Sequence, residues 1–286
     1  MSKFVINING EFFTEETAKI SVFDRGFLYG DSVYEATRTF NKIPFRLNLH
    51  LDRLFESAQK IDLVPSFSKA EIKHQIEKTI ETSSVENAIL RIILTRGTNS
   101  DLGLDPALSS ENNLIIFTKP IAKNPSWWLE RGLSVIFYQK KSSERGSLPK
   151  TGNYQENMLA FKKAQLMGAD DALMLNSEGF LCEGTTSNLW IFKNNELLTP
   201  SLSLGLLDGL TRKAIFEICS IHQIPCKETT LTRGDLLVAD EAFITSTTRN
   251  LVPITKIEGT PIGTGRPGPK TLQLLQYYLD YVAKEY

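Results

Sequence analysis

The sequence predicts an α+β fold in two domains, and three observations carry that prediction. Strand-like and helix-like segments alternate without the strand–helix–strand rhythm of a parallel α/β chain. A chain of 286 residues is long enough for two domains, each with its own core. Midway, the run KPIAKNPSWWLER (119–131) interrupts every periodicity with Pro120 and Pro125. The smaller domain is therefore placed at 1–119, the connection at 120–130 and the larger domain at 131–286.

The elements follow from pattern. Residues 3–13 read as two strands around an Asn9-Gly10 turn. Asp24 and Gly26 punctuate a loop, and 33–40 alternate as a strand with Tyr34, Ala36, Arg38 and Phe40 on one face. Leu47, Leu51, Leu54, Phe55 and Ala58 recur at helical spacing. Arg53 lies off that stripe, so by helix position alone it reads as an exposed arginine. Ser68 and Glu71 form a capping box before a helix with Ile72, Ile76 and Ile80 on one face. The run AILRIILTR (88–96) reads as a buried strand, with Ile89, Arg91, Ile93 and Thr95 facing one way. Two roles fit Arg91, a local ion pair or a ligand contact, because a buried guanidinium needs an anion. The loop GTNSDLGLDP follows, then a strand at 114–118.

In the larger domain, Leu133, Val135 and Phe137 alternate as a strand. Met158, Leu159, Phe161 and Ala164 line an amphipathic helix that Gly168 can end. Strands are expected at 172–175, 188–192 and 196–199, the last two joined by Asn194-Asn195. A helix after Gly209-Leu210-Thr211 buries Ala214, Ile215, Ile218 and Cys219. Strands at 242–246 and 252–257 and a helix at 272–282 complete the chain.

Bulk properties exclude several classes of function. Net charge is −1, which gives no electrostatic footprint for nucleic acid. The start, MSKFVINING, lacks the apolar core of a signal peptide, and no apolar run approaches the ~20 residues of a membrane span. Three widely spaced cysteines fit a reducing cytoplasm rather than a disulfide framework. Three histidines, with no CxxC or HExxH, give no metal site. The run GTGRPGPKT (263–271) nearly matches a phosphate-binding P-loop, but Pro269 removes an N–H from the expected anion nest, leaving a turn into the last helix as the reading.

Two segments point to chemistry. LPKTGNYQENMLAF sets Lys150 between Pro149 and Gly152, ahead of a helix, and FLCEGTTSN sets Glu183 before a polar turn. A lysine able to form a Schiff base, paired with an acid for a ring nitrogen, is what pyridoxal 5'-phosphate chemistry requires. With HLDRLFESA, Gly209-Leu210-Thr211 and ITSTTRN in the same order, the chain resembles the fold-type IV pyridoxal-phosphate enzymes from about residue 20 to residue 273. These include branched-chain aminotransferases, D-amino acid aminotransferases and aminodeoxychorismate lyases. The branched-chain group is the nearest in pattern.

The resemblance implies a two-domain, D-amino acid aminotransferase-like fold with the cofactor between a small N-terminal and a larger C-terminal domain. It implies that Lys150 holds the cofactor and moves the substrate proton, and that Glu183 pairs with the pyridine nitrogen. Lys162 and Lys163 are the competing lysines, and both fall on the polar side of their helix. Arg53, Leu210, Thr211 and Thr247 are implied phosphate contacts. Gly209-Leu210-Thr211 opens a helix, whose N-terminus suits an anion. Tyr154 takes the place of a tyrosine that hydrogen-bonds the cofactor's phenolic oxygen, one residue out of the usual spacing from the lysine.

Substrate residues are implied at Tyr29, Tyr34, Arg38, Arg91, Thr247 and Thr248. D-amino acid aminotransferases carry an Arg-x-His pair in the loop after Thr-Arg-Gly, where this chain has Asp101-Leu102-Gly103. DLGLDP instead resembles branched-chain enzymes, in which the corresponding loop, here 97–106, reaches the neighbouring active site of a homodimer. Arg249 is foreign to that group; it either favours carboxylated substrates or faces solvent. The reading that results is transfer of an amino group from a branched-chain L-amino acid to 2-oxoglutarate by a ping-pong mechanism in a cytoplasmic homodimer, with no nucleic-acid or membrane partner. A D-amino acid or (R)-amine transaminase, and 4-amino-4-deoxychorismate lyase, are the alternatives within the same fold.

Overall fold

The structure is a computed structural model that describes residues 4–99, 101–109, 111–141 and 145–286. Its contacts divide into two units: residues 1–122 with 149–153 and Tyr286, and residues 123–148 with 154–285.

The first unit is a sheet covered on one face by helices. Its strands are β1 (Val5–Ile8), β2 (Glu11–Phe13), β3 (Ser32–Phe40), β4 (Ile43–Pro44), β5 (Ala88–Thr95) and β6 (Asn113–Pro120), in the order β2-β1-β6-β5-β3-β4 with every pairing antiparallel. The predicted hairpin at Asn9-Gly10 is present, with both residues at positive φ. A short helix, α1 (Arg25–Tyr29), occupies part of the segment expected to be loop. Asp24 caps it by accepting from Gly26 N, and Gly30 ends it in the left-handed region at φ 68°. Helices α2 (Leu47–Lys60) and α3 (Lys69–Thr82) lie on the sheet, α3 with the expected Ser68–Glu71 capping box. Leu51, Leu54, Ile72 and Ile76 pack there against Val33, Leu90, Ile92 and Leu94.

The alternation of β3 and β5 decides what faces where. Val33, Glu35, Thr37 and Thr39 alternate with Tyr34, Ala36, Arg38 and Phe40, and across the ladder Arg91 lies opposite Ala36 and Ile93 opposite Tyr34. The side of β5 that carries Ile89, Arg91 and Ile93 is only half-buried, so Arg91 is not sealed in a core as expected.

Arg53 is a second correction. It is buried rather than exposed, because α2 lays His50 and Arg53 against Glu35 of β3. Arg53 Nε and Nη2 donate to the two oxygens of Glu35, each at 2.7 Å, and His50 Nδ1 is 2.7 Å from Glu35 Oε2. Facing a carboxylate, that nitrogen carries the proton. Burial pushes the Glu35 carboxyl up, but the Arg53 charge beside it and the His50 contact more than reverse this and hold it at about 2. Burial also keeps the His50 imidazole below its ordinary range, although Glu35 opposes it.

Both shifts give stability that acid removes. The Glu35 contribution is complete above about pH 4.5 and is lost as pH falls toward 2; the His50 contribution starts to go below about pH 6.5. Melting curves from pH 7.5 to 3 are expected to show Tm falling across both windows. Glu35→Gln, which removes the buried carboxylate that Arg53 and His50 share, should cost about 3–5 kcal/mol at neutral pH and abolish the lower window. An unchanged acid limb in that variant would assign it elsewhere.

The second unit contains α4 (Trp127–Glu130), β7 (Leu133–Gln139), α5 (Gln155–Leu166), β8 (Asp171–Leu175), β9 (Leu181–Gly184), β10 (Asn188–Lys193) and β11 (Glu196–Pro200). Then follow α6 (Leu210–Ile221), β12 (Cys226–Thr229), α7 (Arg233–Leu237), β13 (Glu241–Ser246), β14 (Asn250–Ile257), β15 (Thr260–Pro261) and α8 (Pro269–Glu285). Strand order among the described residues is β12-β11-β10-β13-β14-β7-β8-β9, with β9 also pairing back to β10 through Glu183 opposite Asn188. The strands from β10 round to β9 thus close into a ring. Its core is apolar, with Val135, Leu173, Leu189, Ile244 and Val252 fully buried.

Helix α5 departs from expectation. Its buried residues are Ala160 and Ala164, whereas Met158, Leu159 and Phe161 are exposed. Two alanines let the helix backbone approach β8 closely, so small side chains, not large ones, make the contact. Helix α6 buries the expected Ala214, Ile215, Ile218 and Cys219. The near P-loop is a turn into α8, and its helix N-terminus already holds an anion: Lys270 N and Thr271 N donate to the Glu241 carboxylate at 3.0 and 2.7 Å. No helix among the described residues is long and apolar enough to cross a membrane, and no cluster of His, Cys, Asp and Glu among them suits a metal.

Candidate active site

The segment 149–153 lies along β3 in the first unit. Tyr34 N donates to Lys150 O at 2.9 Å, Gly152 N to Ser32 O at 3.0 Å, and Lys150 N to Ser57 Oγ on α2 at 3.0 Å. A Cβ on Gly152 would come within 2.6 Å of Ser32 Oγ, so a larger residue there would have to displace that hydroxyl. The pinned backbone delivers the Lys150 side chain to the face of β3 that carries Tyr34. Lys150 Nζ is 3.2 Å from the Tyr34 hydroxyl and 4.4 Å from its ring centroid. The Arg91 guanidinium sits 3.5 Å from the same centroid, a cation–π contact on a buried ring.

The other residues implied in this unit have different surroundings. Arg38 lies 4.3 Å over the Phe40 ring. Arg53 spends two donors on Glu35 as described. Tyr29, expected to line a substrate pocket, donates its hydroxyl to Leu102 O at 2.6 Å. Arg25 adds bonds to Gly103 O and Leu104 O, and is held in turn by Asp31. Together they fasten the DLGLDP segment to α1; Ser100, just before it in the 97–106 loop, lies outside the described residues.

In the second unit, β9 presents Glu183. Its Oε2 accepts from Leu207 N at 3.2 Å, and Oε1 is 3.5 Å from Lys140 Nζ. Lys140 is a nearly buried cation that no motif pointed to. It also donates to Gly205 O, so a strand end and a loop converge on one carboxylate. Next to it, burial pushes the Cys182 thiol up to about 11, which keeps it protonated and inert at neutral pH.

Asn188, the ladder partner of Glu183, donates to Leu207 O and lies against Gly209. A Cβ on Gly209 would fall 1.9 Å from Asn188 Oδ1, so only glycine fits at this N-cap. No side chain caps α6, and Thr211, on its first turn, is buried with its Oγ1 lacking a hydrogen-bond partner among the described residues. Ser187 Oγ is likewise buried and unpartnered. An uncapped helix N-terminus beside orphaned hydroxyls is chemistry that an anion satisfies. Thr247 and Thr248 are half-buried in the turn between β13 and β14. Tyr154 is half-buried at the start of α5, and Lys162 and Lys163 are exposed. Arg249 neither faces solvent freely nor stands alone: its Nη1 is 2.9 Å from Asp171.

Comparison with known proteins gives this arrangement a family. The model of the amino-transferase class IV family matches residues 32–257, most of the chain, and the chain belongs to that family. It is 34% identical over 282 residues to a putative branched-chain-amino-acid aminotransferase of Methanocaldococcus jannaschii, covering 98% of this chain and 96% of that one. It is also 34% identical over 268 residues to the D-alanine aminotransferase of Bacillus licheniformis, covering 92% of each. Among solved structures, the T.th. branched-chain amino acid aminotransferase with pyridoxamine 5'-phosphate superposes with a TM-score of 0.91 at 28% identity, covering 99% of this chain and 95% of that one. The Escherichia coli branched-chain enzyme gives 0.89 at 28%, covering 96% and 93%. The chain is therefore an aminotransferase with the fold-type IV architecture, and pyridoxal 5'-phosphate is its cofactor.

Proposed function

We propose that this aminotransferase moves an amino group from a branched-chain L-amino acid to 2-oxoglutarate in two half-reactions. The observation that carries the reading is the Lys150–Tyr34–Arg91 stack, which sets an amine, an aromatic wall and a guanidinium side by side.

Within each unit the residues present suit the cofactor, and we assign its contacts to them as follows. Lys150 would hold it through Nζ, Glu183 would face its ring nitrogen, and the α6 N-terminus with Thr211 would take its phosphate, with Arg53 and Thr247 adding to that anion site and Tyr154 to the phenolic oxygen. When bound, the cofactor supplies an electron sink that acidifies the substrate Cα–H. The Lys150 amine then takes that proton, and the Tyr34 hydroxyl, in hydrogen-bond reach of Nζ, orients it. Thr247 and Thr248 offer turn N–H groups and hydroxyls, a donor set that suits the α-carboxylate all substrates share. Half-reactions followed by cofactor absorbance with L- and D-amino acids test the reading. The D-alanine aminotransferase relatives make D-selectivity the outcome that would replace it.

The proposed enzyme is a cytoplasmic homodimer. The first unit exposes Val22, Phe23, Phe27, Leu102, Leu104 and Leu108, a run of large apolar side chains on the segment around α1 and the loop fastened to it. Such exposure on a monomer marks an interface. We assign it to a second copy, whose 97–106 loop would reach the neighbouring site.

Dual recognition gives a sharper test. An apolar pocket that also admits glutamate needs a cation for the second carboxylate, and the planar fork of Arg91, 3.5 Å from the Tyr34 ring centroid, can supply it. Arg91→Met is expected to weaken the glutamate and 2-oxoglutarate half-reaction by roughly 10- to 150-fold in specificity constant. The leucine or valine half-reaction should change far less. Equal losses on both sides, in a variant with an unchanged melting curve, would make Arg91 a structural residue and remove this basis for glutamate coupling.

A further inference from the structure

Arg249 has no part in the chemistry above, yet its guanidinium joins two turns of the second unit. Its Nη1 lies 2.9 Å from Asp171 Oδ2, and its Nη2 donates to Thr186 Oγ1. Asp171 opens β8 with a side chain only 2% exposed, and its other oxygen accepts from Thr185 Oγ1 at 2.6 Å and from Ala172 N at 2.8 Å. Thr185 is fixed from a third side, where Asn157 of α5 donates to its carbonyl at 2.7 Å. The backbone of Arg249 is engaged as well: its N–H donates to Ser246 Oγ at 3.3 Å, and its carbonyl accepts from Asn124 at 3.1 Å. One side chain thus couples the Gly184–Ser187 turn, directly after Glu183, to the 246–250 turn that carries Thr247 and Thr248.

The physical logic is that of a clamp. A buried carboxylate needs a matching cation, and a guanidinium can satisfy it while keeping a second donor for Thr186 in fixed relative geometry. A lysine in its place supplies the charge but not the fork. Matched by Asp171, the Arg249 charge is committed within the protein.

We propose that Asp171 and Arg249 are positioning residues that hold the Thr247–Thr248 turn in the form that receives the substrate α-carboxylate, an inference that rests on the role given to that turn in the proposed function. Since every amino and oxo acid substrate carries that carboxylate, the clamp acts on apolar and acidic substrates alike. A direct contact from Arg249 to a substrate side chain would act on acidic ones only.

The test uses the cofactor-loaded enzyme and compares Arg249→Met, Arg249→Lys and Asp171→Asn with the unaltered protein. For one apolar donor and for glutamate, KM and kcat are measured separately, with cofactor absorbance and a melting curve alongside. Arg249→Met is expected to raise KM about tenfold for both donors with kcat changed less than about threefold, and to leave cofactor absorbance unaltered. Arg249→Lys should recover part of the loss. Asp171→Asn, which sits too deep to touch substrate, should reproduce the same pattern. A KM increase confined to glutamate would overturn the proposal and make Arg249 a substrate ligand. Unchanged KM values in folded, cofactor-loaded variants, or a loss of cofactor in place of a change in KM, would overturn it too. Where Arg249→Met fails to fold, the other two variants decide by the same criteria. If the unaltered enzyme proves to use other donors, the branched-chain reading fails, and the clamp is tested with one apolar and one acidic donor that it does use.

Discussion

Lys150→Ala is expected to reduce transamination by at least about 10²- to 10⁴-fold, the range that loss of a positioned proton-transfer group alone produces. Loss of the covalent hold on the cofactor adds to this. The backbone of residue 150 keeps its bonds to Tyr34 and Ser57, so the variant should fold and still bind free pyridoxal phosphate at its phosphate site. Two measurements check this together. Borohydride reduction of the unaltered holoenzyme followed by peptide mapping should place the pyridoxyl group on Lys150, and added methylamine should restore part of the activity of the alanine variant. A label on Lys162 or Lys163 would instead sink the assignment, and their exposure on α5 argues against it.

Glu183→Gln should slow proton removal from Cα by roughly 10²-fold or more, by analogy with the loss of one preorganised electrostatic partner. Glutamine keeps the shape and can still accept from Leu207 N, so cofactor binding should survive while the electron sink weakens. Lys140 complicates the variant in a measurable way. Its ammonium, nearly buried and 3.5 Å from the carboxylate, would lose its counter-charge, so Tm should fall as well. The double variant Glu183→Gln with Lys140→Met should recover stability without recovering rate. Near-normal single-turnover rates in Glu183→Gln would mean that another acid serves the ring nitrogen.

Much of this chemistry could be read from local sequence because its signals are local. Ser68 and Glu71 announce their helix three residues apart, and alternation along β3 correctly put Tyr34, Ala36, Arg38 and Phe40 on one face. Where periodicity was read as burial by size, it failed. On α5 the large residues Met158, Leu159 and Phe161 point outward and two alanines pack inward, since hydrophobic spacing cannot say how close a neighbouring strand will come. Strand β9 is not legible in the sequence because its four residues run straight into Thr-Thr-Ser and look like part of a turn, although it is the strand that brings Glu183 to Asn188.

By itself the sequence determined the family, the α+β class, and the lysine, glutamate and helix-opening Gly-Leu-Thr around which the chemistry is proposed. Each is a contiguous motif whose residue types the cofactor chemistry requires. Only the tertiary structure decided the partners of the charged groups. Arg53 looked exposed on its helix and is buried on Glu35, Lys140 carried no motif and stands beside Glu183, and Arg249 meets Asp171 across 78 residues of chain. The physical reason is common to all three. Burying a charge is unfavourable until a particular counter-charge arrives, and which one arrives depends on how distant strands and helices pack, information that the spacing of residues along one segment does not contain.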